Sequence, residues 1–491
     1  MSDDDLAYLS ASELVERYRR KTLSPVEATQ AVLARIERHN GPVNAFVVAD
    51  PERALADAKA SEARWAKGAP AGPVDGVPTT IKDLVLTKGW PMRGGSRITS
   101  TEPVAEDAPI VARLREQGAV LLGKTTTPEF GWKGVTDSPL TGVTRNPWDT
   151  SCTPGGSSGG GAVAAALGMG TLNVGSDGGG SIRIPSAFTG IFGHKPSFGR
   201  VARYPNSAFG TLSHLGPMTR TVADAALMLT VISRPDPRDW FSLPYDGADY
   251  RDGLEDGVAG LRIAFSPALG YAKVDREIAA LVADAAALFE KLGATVEQAD
   301  PDIEDPAPMF RPHWYAGAAF AARNYTAEQE KMLDPGLREV IAQGRKLSLL
   351  DYLAAVDQRS ALGMRMNAFH ETYDLLLTPT MPIAAFEAGH ELPPARVTPR
   401  ASLTKTAAGR NRPPASDEER WMSWTPFTYP FNLTQQPAAT VPCGFTKAGL
   451  PAGLQIVGRM HDDKTVLRAA RAFERERPFE MPRAPRVTHK G

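Results

Sequence analysis

The sequence predicts an α/β fold built on one large, largely buried β-sheet. Three observations carry that expectation. Strand-like and helix-like segments alternate along the whole length. No internal repeat and no clean linker divides the 491 residues, so one domain over 1–491 is expected, with its motif-bearing core at about 60–200. Apolar residues make up 42% and charged residues 23%, the balance of a chain able to bury a sizeable core.

Residues 6–39 read as two helices. The second opens at Ser24-Pro25-Val26-Glu27, with serine at the N-cap, proline in the first turn and glutamate three residues on. A short apolar run at 43–48 reads as a strand, and 51–67 as a helix. Proline and glycine punctuate 70–78 and lead into Thr79-Thr80-Ile81-Lys82, a β-branched segment expected to end a buried strand. Residues 107–117 read as helix and 119–122 as strand. Further strands are expected at 261–265, 375–378 and 439–441, with alanine-rich helices at 277–292 and 464–474. The segment 388–420, rich in proline, alanine and charge, is expected to be a long loop or a cover over a site. Trp421, Trp424 and Phe427, which follow it, read equally well as core.

Bulk properties exclude several function classes. A net charge of −1 gives no electrostatic footprint for nucleic acid or an anionic membrane. No apolar run approaches the roughly 18–20 residues needed to span a bilayer. The acidic opening Met1-Ser2-Asp3-Asp4-Asp5 is unlike a secretory signal, and Cys152 and Cys443 are too few for a disulfide framework, so a cytoplasmic setting is expected. The eight histidines form no HExxH pair and there is no CxxC, so neither a metal nor another cofactor is expected.

Three motif matches fail on context. Gly118-Ala119-Val120-Leu121-Leu122-Gly123-Lys124-Thr125 fits the P-loop expression, but its interior is a strand-like apolar run where a phosphate cradle needs a flexible loop, and Pro128 follows almost at once. Gly155-Gly156-Ser157-Ser158-Gly159 fits a nucleophile elbow, yet the preceding residues 150–154 do not read as the strand it requires. Ser402-Leu403-Thr404-Lys405 matches a Ser-x-x-Lys nucleophile in a polar loop without supporting motifs, and is read as chance.

Two glycine-rich turns are different because their parts cooperate. Residues 155–161 run into the small-residue segment Ala162-Val163-Ala164-Ala165-Ala166-Leu167, a helix whose unpaired N-terminal N–H groups face the turn. Gly178-Gly179-Gly180 places successive backbone N–H groups beside Ser181, a cluster able to hold a developing oxyanion. Serine becomes a useful nucleophile only when a base takes its proton, and Lys82 can be that base only when burial makes it neutral. A hydroxyl that accepts from one partner while donating to another can link the two. The same composition would also suit two ordinary glycine turns that let a helix pack closely.

These segments resemble the amidase signature family. The likeness rests on Gly155-Gly156-Ser157-Ser158-Gly159-Gly160, on residues 175–185 and on Gly190-Ile191-Phe192-Gly193-His194-Lys195-Pro196. It extends upstream through residues 76–83, 123–130 and Asn146-Pro147-Trp148, and downstream through Leu377-Thr378-Pro379-Thr380, Pro430-Phe431-Asn432-Leu433-Thr434 and residues 449–458. The resemblance implies a single large domain with a central mixed β-sheet covered by helices on both faces. It implies a hydrolase that cleaves a carbon–nitrogen amide bond, with carbamates and esters chemically adjacent, through a seryl acyl-enzyme. Carried over residue by residue, Ser181 would be the nucleophile, Ser157 the bridging serine on a cis Gly156–Ser157 peptide, and Lys82 the base. Gly178, Gly179, Gly180 and Ser181 would supply the oxyanion N–H groups, and Gly131 a backbone contact to the ligand. Ser176 and Ser158 would support the triad, while Asp177 and Arg183 are expected to brace the loop as a salt bridge.

Some positions depart from the family pattern. Gly178 stands where many members carry Thr or Ile, which is expected to widen or loosen the turn. Gln435-Gln436 replaces a more usual Thr-Gly-type pair near the expected substrate pocket, and glycine at 131 is expected to leave room for a bulkier group. The substrate implied is a small amide-type molecule; Trp421, Trp424, Phe427 and Tyr429 hint at an apolar acyl or aryl group. Neither nucleic acid nor membrane is expected as a partner, and a homodimer is the commonest soluble assembly. The alternative role is the glutaminase component of a tRNA-dependent amidotransferase. Residues 126–130 and the 388–420 insertion look more like stand-alone amidases. A non-catalytic scaffold is disfavoured by the intact Lys82, Ser157 and Ser181.

Overall fold

The computed structural model describes residues 2–394 and 417–488. Its strands are β1 (Phe46–Ala49), β2 (Pro78–Lys82), β3 (Val120–Thr125), β4 (Asp137–Ser138), β5 (Gly142–Val143), β6 (Leu172–Asp177), β7 (Phe192–Lys195), β8 (His214–Thr219), β9 (Arg262–Phe265), β10 (Thr295–Gln298), β11 (Leu375–Pro379), β12 (Ala438–Phe445) and β13 (Pro451–Gly458). An 11-stranded sheet runs in the order β1-β3-β2-β6-β8-β7-β12-β13-β11-β9-β10, and β4 pairs separately with β5. The sheet is mixed. β2 lies parallel to β3 and β6, and β9 parallel to β10 and β11. The strands between them, and β1 at the edge, pair antiparallel.

Alternate strand residues enter different apolar clusters, which shows both faces to be covered. Leu454 and Ile456 of β13 pack in one cluster with Val282 and Phe289 of helix Arg276–Lys291 and Leu467 and Phe473 of helix Asp463–Glu476. Val457 enters a second cluster with Phe310 and Trp314 of helix Ala307–Ala321 and Leu362 and Met366 of helix Leu349–Thr372. β11 divides in the same way, with Leu375 and Leu377 on the first face and Leu376 on the second. A period of two between buried clusters is the signature of a sheet sandwiched by helices. Among the described residues, no helix is long and apolar enough to cross a membrane.

The N-terminal expectation needs correction in two places. Three helices, not two, occupy the first 43 residues: Asp3–Ala7, Ala11–Arg19 and Pro25–Val43. Ser10 forms a capping box like that of Ser24, restarting the helix where the apolar pattern alone runs on. The run at 43–48 is divided, because helix Pro25–Val43 continues through Pro42 and ends at Asn44 in the left-handed region (φ 53°), so β1 begins only at Phe46. A short apolar run suits a helix end as well as a strand.

Most of segment 388–420, including Ser402-Leu403-Thr404-Lys405, lies outside the described residues. Trp421, Trp424 and Phe427 are buried in the second cluster, so these three side chains are core. The P-loop-like stretch is excluded by β3 itself, in which Lys124 pairs with Asp83 at 3.0 Å.

Candidate active site

The sheet register sets the site. β2 and β6 are parallel neighbours with Ile81 opposite Val174, so Lys82 and the Ser176–Asp177 end of β6 emerge at the same carboxyl edge. Open α/β sheets place ligand sites at this edge. Over it stands helix Gly159–Ala166, entered through Ser157 and Ser158, and the Gly156–Ser157 peptide is cis. Glycine here permits close approach. A Cβ on Gly156 would stand 2.5 Å from the Val135 carbonyl oxygen, and one on Gly160 2.5 Å from both the Ala45 oxygen and the Thr126 nitrogen. Backbone atoms cannot rotate away, so Gly160→Ala is expected to destabilise the fold by about 1–3 kcal/mol. Equilibrium denaturation would read it as a lowered midpoint; an unchanged midpoint would show that the helix can shift.

Lys82 is fully buried, and its Nζ has three hydroxyl neighbours: Ser157 Oγ at 2.7 Å, Ser158 Oγ at 2.8 Å and Ser176 Oγ at 2.9 Å. The hydrogen at Ser158 is already committed, because its hydroxyl donates to the Ser176 carbonyl (3.1 Å) while accepting from the Ser176 N–H (3.2 Å). Ser158 therefore accepts from Lys82. Burial pushes the Lys82 amine well below its usual range, and the nearby Arg203 charge adds to that, against an opposing pull from Asp177. In its neutral form the amine has two N–H donors and one lone pair, and the Ser157 and Ser176 hydroxyls are both near enough to donate to that lone pair. Ser181 is buried beside them. The Ser158 N–H donates to its carbonyl at 3.2 Å, which locks the two glycine turns edge to edge.

Asp177 and Arg183 form the expected brace. Both are fully buried, with Arg183 Nη2 and Nε donating to the carboxylate at 2.9 and 3.0 Å. Burial alone would raise the Asp177 carboxyl, but the Arg183 charge outweighs it and holds the group well below the usual carboxylate range. The same carboxylate accepts the Gly180 N–H at 2.7 Å and the Ile182 N–H at 3.1 Å. Of the four amides expected around an oxyanion, Gly180 is thus turned inward. Among the described residues, the N–H groups of Gly178, Gly179 and Ser181 have no protein acceptor.

Several residues with no role assigned from sequence complete the arrangement. Arg183 also donates to Gln455 Oε1 (2.8 Å), Asn432 Oδ1 (2.7 Å) and the Thr428 carbonyl (2.8 Å), while Asn432 Nδ2 donates to Asp177 Oδ1 at 2.9 Å. Asn432 and Gln455 lie in segments that carry the family likeness, but only the fold reveals their common partner. An aromatic wall meets the glycine turn: a Cβ on Gly178 would lie 3.0 Å from Trp314, and one on Gly179 2.6 Å from Trp421. Phe310 and Phe209 extend it, with Phe209 stacked on Trp314 at 3.9 Å between ring centroids. The space left by glycine at 178 is therefore filled by Trp314 and does not loosen the turn. Gly131 (φ 73°) behaves alike, since a Cβ there would meet Leu84 at 2.8 Å and Ser157 Oγ at 3.2 Å, so the missing side chain makes room for protein atoms. Gln436 is buried and donates to the Gly458 carbonyl, and Gln435 to the Thr211 carbonyl.

The family model for amidases matches residues 27–467. The chain is 38% identical to an acylamidase of Rhodococcus erythropolis, covering 98% of each protein. It is 36% identical to the A component of the glutamyl-tRNA(Gln) amidotransferase of Moorella thermoacetica, over 98% of this chain and 99% of that one. Among solved structures, a bacterial aryl acylamidase of the amidase signature family superposes with a TM-score of 0.85 at 33% identity, over 96% of both chains.

Proposed function

The chain belongs to the amidase family and is an amide-hydrolysing enzyme, and from that premise we propose that hydrolysis runs through a Ser181 acyl-enzyme served by Ser157 and Lys82. The observation that carries the reading is the 2.7 Å contact between Ser157 Oγ and the buried amine of Lys82, with the neighbouring Ser158 hydrogen committed elsewhere. Ser181 Oγ attacks the amide carbon, its proton passes to Ser157, and the Ser157 proton passes to Lys82. The carbonyl oxygen gathers negative charge and is met by the N–H groups of Gly178, Gly179 and Ser181. Returning the proton along the same path to the amine nitrogen breaks the carbon–nitrogen bond. Water then adds to the acyl carbon by the same relay, giving the carboxylic acid and free Ser181.

The aromatic side chains against Gly178 and Gly179 favour amides with an apolar or aryl group, and the likeness to an acylamidase and an aryl acylamidase supports the same class. A free amino acid such as glutamine fits that wall less well, so we set the amidotransferase role second. The test is labelling with a serine-reactive fluorophosphonate, mapped by mass spectrometry, beside a hydrolysis panel of anilides, aliphatic amides, carbamates, esters and glutamine. Labelling at Ser181 with anilides preferred is expected. Label on another serine would overturn the nucleophile, and ammonia released from glutamine alone would transfer the protein to the second role.

A further inference from the structure

A cavity of about 220 Å³ lies one strand away from the triad, walled in part by Arg203, His214, Leu215 and Asp239. His214 and Leu215 of β8 stand opposite Asp177 and Ser176 of β6 in the sheet register. Two of its side chains carry buried polar atoms with no partner among the described residues: Arg203 through Nε and Nη1, and His214 through Nε2. Asp239 supplies a nearby negative charge, but its two oxygens accept the backbone N–H groups of Arg203 (2.8 Å) and Phe241 (3.0 Å), and neither bonds Arg203 Nε or Nη1. The His214 ring is kept neutral by burial, with the charge on Lys195 acting in the same direction. Its Nδ1 lies 2.9 Å from the Leu212 carbonyl and so carries the proton, which leaves Nε2 as an acceptor. The lining of the cavity thus includes a cation with unpartnered donors and a neutral imidazole acceptor. Buried polar groups normally have partners, and a buried cation without an acceptor is unfavourable.

We propose that this cavity is a carboxylate-binding site in which Arg203 donates to the carboxylate oxygens and His214 Nε2 accepts from an N–H, a hydroxyl or a bridging water of the same ligand. The carboxylate has two sources, a free carboxylate ion or an acidic group carried on the amide substrate; the second source rests on the hydrolytic reading above. Occupancy has a consequence for the base. Arg203 disfavours the protonated form of Lys82, whereas Asp177, the other charged group acting on that amine, favours it. A bound carboxylate would offset the Arg203 charge and move the acid limb of activity to higher pH.

Calorimetric titration of acetate into the full chain tests binding without requiring turnover. Saturable binding is expected in the wild type, weakened at least tenfold in Arg203→Gln and largely retained in Arg203→Lys. His214→Phe, which removes the acceptor and keeps Arg203, gives a second weakened variant should Arg203→Gln fail to fold. A kinetic arm separates the sources by comparing an anilide bearing a para-carboxylate with its methyl ester. Preference for the acid that is lost in Arg203→Gln assigns the site to the substrate. Saturable acetate inhibition of the ester, with the acid limb moved up, assigns it to a free ion. Absence of both acetate binding and acid preference in the wild type, or their persistence in Arg203→Gln, overturns the proposal. Acetate binding in a protein that hydrolyses no amide would sink the hydrolytic reading and leave this one standing.

Discussion

Replacing Ser181 with alanine is expected to lower kcat/KM by about four to six orders of magnitude, and Lys82→Ala should cost nearly as much. In the proposed relay, nucleophile and base act on one proton. Removing either leaves the amide with only the positioning and oxyanion contacts of the glycine turn, so the double variant should fall little below the worse single one. Lys82→Arg should be as poor as Lys82→Ala, because a guanidinium has no neutral form at working pH. The pH profile carries an independent sign. In the proposed relay the neutral amine is the active form, so activity is expected to be lost as pH falls through the lowered Lys82 value and to reach its plateau well below pH 10.5. Single-turnover rates on one anilide for the wild type and the four variants would decide the matter. Retention of more than about a tenth of the rate in Lys82→Ala, or losses that multiply in the double variant, would separate Lys82 from the proton path.

The contact between Lys82 and Ser157 was legible because its parts lie in short segments whose chemistry depends on residue type and backbone. Lys82 ends a β-branched run, and the two serines sit in glycine turns where only a bare backbone fits. What the sequence hid were relations between segments. Nothing in Pro430-Phe431-Asn432 or in Gln455 states that both will meet Arg183, because that meeting depends on helix Arg183–Thr189 packing across β12 and β13. The Gly180 amide looks equivalent to its neighbours until the Asp177 carboxylate is seen to claim it. Trp314 sits on a helix with no motif, and only the packing brings it to Gly178. The N-terminal boundaries failed for a local reason, since a left-handed Asn44 divides a run that hydropathy treats as continuous.

Asp177→Ala is expected to be the most damaging change to stability, costing about 3–5 kcal/mol, because it leaves the fully buried Arg183 charge without its carboxylate. That is a large share of the roughly 5–15 kcal/mol by which folded proteins exceed their unfolded chains. Asp177→Asn should fare little better, since it keeps a carbonyl acceptor but not the charge. The damage is expected to reach the chemistry as well, because the lost carboxylate also fixes the Gly180 and Ile182 amides that shape the turn before Arg183. Removing both ions in Asp177→Asn/Arg183→Met should recover part of the loss, as a buried pair is often replaceable as a unit but not by halves. The acid response follows from the same pair. The native carboxyl is held well below its unfolded value of about 3.9, so its contribution is complete above that pH and is lost as pH falls through the native value. Denaturant midpoints for the three variants at neutral pH would measure the coupling. A wild-type midpoint in Asp177→Ala would show that Thr428, Asn432 and Gln455 can hold Arg183 without it, and the carboxylate would then have no structural claim on the loop.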